Sequence, residues 1–340
     1  MAYTTIDNPK EHFVTKLYTG SGGTQNITGL QFSPDFIWLK ALEGNNYHHN
    51  AYDSLRGATK ALEIDDTDAE ATISDALTSI NSDGFSLGAD GSDREANESG
   101  QAMASWNWRG SDSTGAANTD GTIDSVTSAN TTAGFSVVSW TNESSGDDTV
   151  GHGLGVAPKL IITKVRSATS DWYTHTTAYD GTMDYFKLND TTAVTNLGKP
   201  APTSTVFTTD MGGTTTGIAY CFADIKGYQQ IGVFTGNANV AGNFVYTGFK
   251  PAFLLFKNAN DTRNWGLIDS TRSPTNKTLS TTEPDKAAVT NTSDNFDFFS
   301  NGFRAASTDP GSNGNGNKIL YMAIAENPFV SSKGIPVTAR

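Results

Sequence analysis

Five histidines, His12, His48, His49, His152 and His175, are the side chains best suited to hold a metal or to move a proton near neutral pH. Their spacing matches no zinc pattern, and adjacent His48 and His49 would point to opposite faces of a strand, so structural or surface places are expected for all five. Acids gather at Asp65, Asp66, Asp68 and Glu70 and again at Asp90, Asp93 and Glu95. Calcium takes several loop oxygens, but neither run has the order of an EF-hand loop, so the expectation is solvated acidic loops, no metal and no cofactor. Nothing singles out a pair of acids for glycoside hydrolysis. A catalytic serine on a Gly-x-Ser-x-Gly turn would need a histidine to serve it, and no such turn comes with a plausible partner. Gly151-His152-Gly153-Leu154-Gly155 leads into a strand, not into the helix N-terminus that a phosphate loop requires. Six tryptophans remain, whose rings could stack on sugars. Trp38, Trp172 and Trp265 are expected in the core, whereas Trp106, Trp108 and Trp140, at terminal or edge positions, are the candidate ligand contacts. No catalytic residue is expected.

Repeated strands must position these side chains. Pro34-Asp35-Phe36-Ile37-Trp38-Leu39-Lys40 returns as Pro158-Lys159-Leu160-Ile161-Ile162-Thr163-Lys164 and Pro251-Ala252-Phe253-Leu254-Leu255-Phe256-Lys257. Three copies of one strand imply three copies of one module. Proline, with a fixed φ and no N–H, suits the first residue of a strand, and the run that follows is short and rich in β-branched and aromatic residues. Phe36 and Trp38 fall on one face and Ile37 and Leu39 on the other, so the strand is expected to be covered on both sides and central in its module. Each closing lysine is expected to leave the core, its stem packed and its ammonium in water.

The chain divides accordingly. Residues 1–13 form a polar arm, 14–110 the first module, 111–132 a linker, 133–229 the second module, 230–326 the third, and 327–340 a tail. Thr122–Val126 could add a short strand within the linker, and Ala61–Ala76 reads as loop with at most one helical turn. Trp172 and Trp265 each follow their lysine by eight residues, where the first module has His48. Asp269-Ser270-Thr271-Arg272 echoes Asp53-Ser54-Leu55-Arg56. With no helical pattern to supply crossovers, the fold class is all-β, three related antiparallel β-sandwiches of jelly-roll character.

Composition narrows the function. At 340 residues, three modules of about 100 residues each can form cores of their own. A net charge of −13 argues against a nucleic-acid backbone as partner. Cys221 is the sole cysteine, so no intrachain disulfide forms. No basic-then-apolar leader precedes Asp7-Asn8-Pro9 and no run of about 18 apolar residues occurs, so synthesis in the cytosol without a cleavable signal or membrane insertion is expected.

Leu17-Tyr18-Thr19-Gly20, Asp68-Ala69-Glu70-Ala71-Thr72, Asp83-Gly84-Phe85, Val150-Gly151-His152-Gly153-Leu154-Gly155, Tyr246 through Phe253 and the ending Ala325 through Arg340 form a specific set. With these segments the chain resembles, from end to end, a family of repeat-containing virion structural proteins of tailed bacteriophages, particularly those of marine bacteria. The resemblance implies a non-enzymatic protein on the virion surface, made in the host cytoplasm, as a tail-fibre or host-adhesion component. A capsid head decoration protein is the alternative, and a polysaccharide depolymerase the enzymatic one. Implied partners are other tail or capsid proteins, host-surface polysaccharide and further copies of the chain, a homotrimer being favoured.

Overall fold

Short runs of β-branched and aromatic residues punctuated by Gly, Asn, Asp and Ser give strands and turns throughout. The structure is a computed structural model that describes all residues except 1–2, 45–46, 92–95, 112–113, 143–146, 210, 276, 279, 289–295 and 338–340. Among the described residues, helix is confined to a 3-10 turn at Pro9–Glu11 and one turn at Pro310–Asn313.

Each module is built on four antiparallel strands in one spatial order: opening, closing, proline, return. The opening strands are Phe13–Thr19, Phe135–Thr141 and Gln229–Thr235, and the closing strands Ala102–Trp108, Thr216–Phe222 and Lys318–Pro328. The proline strands are Phe36–Ala41, Leu160–Val165 and Phe249–Asn258, and the return strands Asn50–Asp53, Trp172–Thr176 and Trp265–Asp269. The proline strand lies between closing and return strands in all three sheets, the central place that its two apolar faces require. A smaller sheet covers one face of each: Gln25–Thr28, Gly84–Leu87 and Leu77–Asn81 in the first module, Thr149–Gly151 and Val206–Thr208 in the second, four short strands in the third.

In the first and second modules the two faces of the proline strand enter two different cores, whereas in the third both faces belong to one cluster. Ile37 and Leu39 pack with Ile27, Phe85 and Leu87 inside the first sandwich, and Ile161 packs with Val150 and Phe207 inside the second. The opposite face, Phe36 and Trp38 in the first module and Leu160 and Ile162 in the second, joins Phe253 and Leu255 of the third in one shared central cluster. Trp108 marks the junction: its ring centroid lies 5.0 Å from Phe36, 6.1 Å from Phe222 and 5.6 Å from Phe253, one residue from each module. The three sandwiches therefore pack as one body around a common apolar centre.

Several expectations change in this light. The linker at 111–132 is a β-hairpin, Ala116–Asn118 paired with Ser125–Asn130, which extends the second module's sheet beyond its opening strand. Ser128 Oγ donates to Asp35 Oδ1 at 2.6 Å, so the hairpin is pinned to the first module. Low apolarity hid it, because the residues that its long strand buries, Ser125, Thr127 and Ser128, are polar. Ala61–Ala76 takes in most of the strand Lys60–Glu63 and all of Ala71–Thr72, with no helical turn. The arm is not free: Thr4, Ile6 and Pro9 are buried and Phe13 belongs to the opening strand. The tail bridges Val330 to Pro336, and Ser332 N donates to Asp7 Oδ1 at 2.6 Å, which ties the two ends together.

Candidate functional site

The polar side chains with the most chemistry gather at the seams between modules, and each seam uses the same positions. Lys40, Lys164 and Lys257 share the face of the proline strand that meets the neighbouring modules, and all three are 0–1% exposed. Each ammonium donates to one carbonyl of its own hairpin and to one of another module. Lys40 Nζ reaches Tyr47 O and, at 2.9 Å, Ala287 O of the third module. Lys164 Nζ reaches Ser170 O and, at 2.8 Å, Thr67 O of the first. Lys257 Nζ reaches Arg263 O and, at 2.8 Å, Thr191 O of the second. The contacts run from first to third, third to second and second to first, which closes a ring. The ammonium groups thus end on carbonyls rather than in water, contrary to the sequence expectation. A covered lysine needs such acceptors to remain charged. Burial pushes Lys164 and Lys257 down to about 8, against the opposing pull of Asp171 on one and Asp285 on the other. Asp285, beside Lys257, is itself pushed up by burial to about 7.

A ring side chain repeats the pattern. Trp172 Nε1 donates to Glu63 O of the first module at 2.7 Å, and Trp265 Nε1 to Lys187 O of the second at 2.8 Å. These tryptophans pair across the strands with Lys164 and Lys257. In the first module the hairpin is one residue longer: Leu39 pairs with Asn50, so the residue opposite Lys40 is His49, not His48. His49 is fully buried, receives the Trp38 indole N–H on Nδ1 at 2.9 Å and lies by the backbone of Glu283 in the third module. Burial first, then Lys40 and Arg272, holds its pKa well below the usual histidine range, so the ring is neutral.

The Asp-Ser-x-Arg turns form the third element. Asp53 Oδ1 accepts the N–H of Arg56 at 2.8 Å, Oδ2 pairs with Arg56 Nε, and Tyr220 of the second module donates to the same Oδ2 at 2.8 Å. In the third module Asp269 treats Arg272 likewise and receives Trp106 Nε1 of the first at 3.1 Å. Burial opposes the Arg56 charge, but Asp53, Tyr220 and Glu70 outweigh it and raise its pKa. The second module has Thr176 where the others have aspartate, and Met322 stands in the register position of Tyr220 and Trp106. Where the acceptor is missing, the donor is missing too.

The tryptophan candidates lie deeper than their terminal or edge positions in the sequence suggest. Trp106, Trp108 and Trp140 are 0%, 1% and 3% exposed, so all three are buried rather than at open edges, and Trp140 borders a hollow, with Ile123 and Ser139. Neighbouring modules cover Trp106 and Trp108, and Trp140 packs on Phe207 at 5.6 Å inside its own sandwich. Trp38, Trp172 and Trp265 are buried as expected. Cys221 is buried and its thiol pushed up to about 12 by burial, which leaves it unreactive.

The remaining candidates have structural partners. His152 Nδ1 accepts Leu154 N at 3.2 Å, His175 Nε2 meets Thr163 Oγ1 at 3.1 Å, and His12 Nδ1 meets Asn130 Nδ2 at 3.0 Å. Gly84-Phe85-Ser86-Leu87-Gly88 has the spacing of a nucleophile turn, but Ser86 lies in a strand and bonds Asn26 and Asn81, each at 2.8 Å. Asp65 holds His48 Nδ1 at 3.0 Å and His49 N at 2.8 Å. Glu70 bridges modules through Arg166 Nε at 2.9 Å and Nη2 at 3.1 Å. Asp90 accepts Asn97 N at 3.1 Å, while Asp93 and Glu95 lie outside the described residues. One grouping escaped the sequence reading: His48, Glu63 and Asp66 bring potential metal-ligand atoms within 4.8 Å of one another. They come from separate segments of one hairpin, so no short motif announces them. Among the described residues, no helix is long and apolar enough to cross a membrane.

Comparison with known proteins places the chain in a family. Residues 8–328 match the family described as "Domain of unknown function (DUF7483)", and the chain belongs to it. No curated protein and no solved structure matches.

Proposed function

We propose that the protein is a non-enzymatic structural component of a tailed-phage virion, displayed on the particle surface as a tail-fibre or host-adhesion part and assembled as a homotrimer. The observation that supports this reading is the use made of the polar residues. Buried Lys, Trp, Asp and Arg side chains link one sandwich to the next around the whole molecule, which gives a rigid body with long loops on its outside. That is the construction suited to an assembled particle. The sequence resemblance supplies the virion and the host envelope as its setting. A second reading, a head decoration protein, draws on the ring of three equivalent modules, since such a ring matches a threefold site on a capsid lattice.

Antibody labelling of purified particles in cryo-electron microscopy tests both. Label at the tail supports adhesion, label over the head transfers the protein to decoration, and particles without label contradict both. Shortening of host envelope polysaccharide by the purified chain would contradict the non-enzymatic part and favour a depolymerase.

A further inference from the structure

The three opening strands are equivalent, but their outer edges are not treated alike. In the second module the hairpin strand Ser125–Asn130 pairs along Phe135–Trp140, from Asn130 opposite Phe135 to Ser125 opposite Trp140. In the first module the opening strand Phe13–Thr19 pairs with the closing strand on one side and, among the described residues, with no strand on the other. A hollow of about 410 Å³ flanks it, lined by Phe13, Val14 and Thr15 together with Lys10, Lys250 and Glu326 and, in the place of Asp35, Ala252. Three consecutive strand residues point to alternate faces, so what they share towards the hollow is the backbone edge. An unpaired edge of this kind is a template for another strand.

The occupied groove indicates what the open one would take. At the seam of the first and second modules, Asp35 receives Ser128 Oγ at 2.6 Å and Ser54 Oγ at 2.7 Å, so a hydroxyl side chain anchors the added strand. At the seam of the third and first modules Ala252 replaces Asp35, while Ser270 keeps the place of Ser54: Ser270 N donates to Ala252 O at 2.8 Å, as Ser54 N does to Asp35 O at 2.9 Å. The acid is gone from that place, and two lysines and one glutamate, Glu326, line the hollow. Lys10 is exposed and has no ion-pair partner among the described residues, and Lys250 pairs with Glu326 at 2.9 Å on the rim. We propose that the edge of Phe13–Thr19 binds an extended acidic segment of a partner polypeptide by strand addition, with a carboxylate of that segment meeting Lys10 and Lys250 where the intramolecular hairpin presents Ser128 to Asp35. Main-chain hydrogen bonds would supply the attachment and the charge reversal the selectivity. The inference concerns how the molecule joins a partner and holds whether or not that partner is a virion protein.

The test uses the full chain and two synthetic peptides: Ile123–Thr131 of this chain's own hairpin, and the same peptide with Ser128→Glu. Binding is read by fluorescence anisotropy and located by amide hydrogen exchange. The glutamate peptide should bind at least about tenfold more tightly than its parent, a difference of about 1.4 kcal/mol, and should slow exchange in residues 13–19. Lys10→Glu, a surface change, should abolish that preference, and Lys250→Ala should weaken it. Equal binding of the two peptides, protection elsewhere than residues 13–19, or an unchanged preference in Lys10→Glu would overturn the proposal. Protection of residues 13–19 that rises with protein concentration in the absence of peptide would overturn it too, in favour of pairing between copies of the chain.

Discussion

At the scale of single residues, the seam side chains behave as structural groups whose neighbours settle their charge. Trp172 and Trp265 each combine a buried ring with an indole N–H bound to a carbonyl of another module. Replacement of either by Ala should cost about 3–5 kcal/mol in denaturant unfolding, and Trp265→Phe, which removes mainly the hydrogen bond, about 1 kcal/mol. A cost below about 1 kcal/mol for either alanine variant would mark that site as surface. The lysines give a pH dependence of unusual sign. In the folded protein Lys164 and Lys257 have been pushed down to about 8, below their value in the unfolded chain. Between those two values the unfolded chain binds more protons than the folded one, so stability rises with pH. Below about pH 8 both states are protonated and this contribution is level. Comparison of wild type with Lys164→Met between pH 8 and about pH 9, below the range in which unfolded tyrosines ionise, should show a smaller rise in the variant. Identical slopes would contradict the assignment.

At the scale of elements, the polar hairpin Ala116–Asn130 is where the sequence reading and the structure differ most. A tether could be replaced freely, whereas a strand that caps the second sheet and holds Asp35 could not. Replacing residues 116–130 by a Gly/Ser linker of equal length should lower the unfolding midpoint, and Ser128→Ala alone should cost about 1–2 kcal/mol, since its hydroxyl binds a buried carboxylate. No change in either variant would restore the linker reading. The proline strands, the module repeat and the sandwich character were legible because they follow from local pattern: a proline start, a short run and apolar residues on both faces. The cover over Trp106 and Trp108 was not legible, because it comes from other modules and leaves no mark within the strand itself. The same reason hid the lysine ammonium groups, whose second acceptors lie in distant segments at Thr67, Thr191 and Ala287. His49 was missed through a single extra hairpin residue, which moved the register by one and put the wrong histidine opposite Lys40.

At the scale of the whole molecule, the three sandwiches share one apolar centre and one ring of polar contacts. The first and second modules each have an inner core and give the other face of the proline strand to the common cluster, which in the third module takes both faces of the strand. A module removed from the ring would expose that face and leave a buried lysine short of one acceptor, and both effects oppose independent folding. This separates the molecule from three beads on a string, for which the two chain connections between successive modules would be the sole coupling. The central claim is that the modules form one cooperative unit, and differential scanning calorimetry of the intact chain tests it directly. The account predicts a single endotherm whose van't Hoff enthalpy equals the calorimetric enthalpy, and two or three separable endotherms would contradict it.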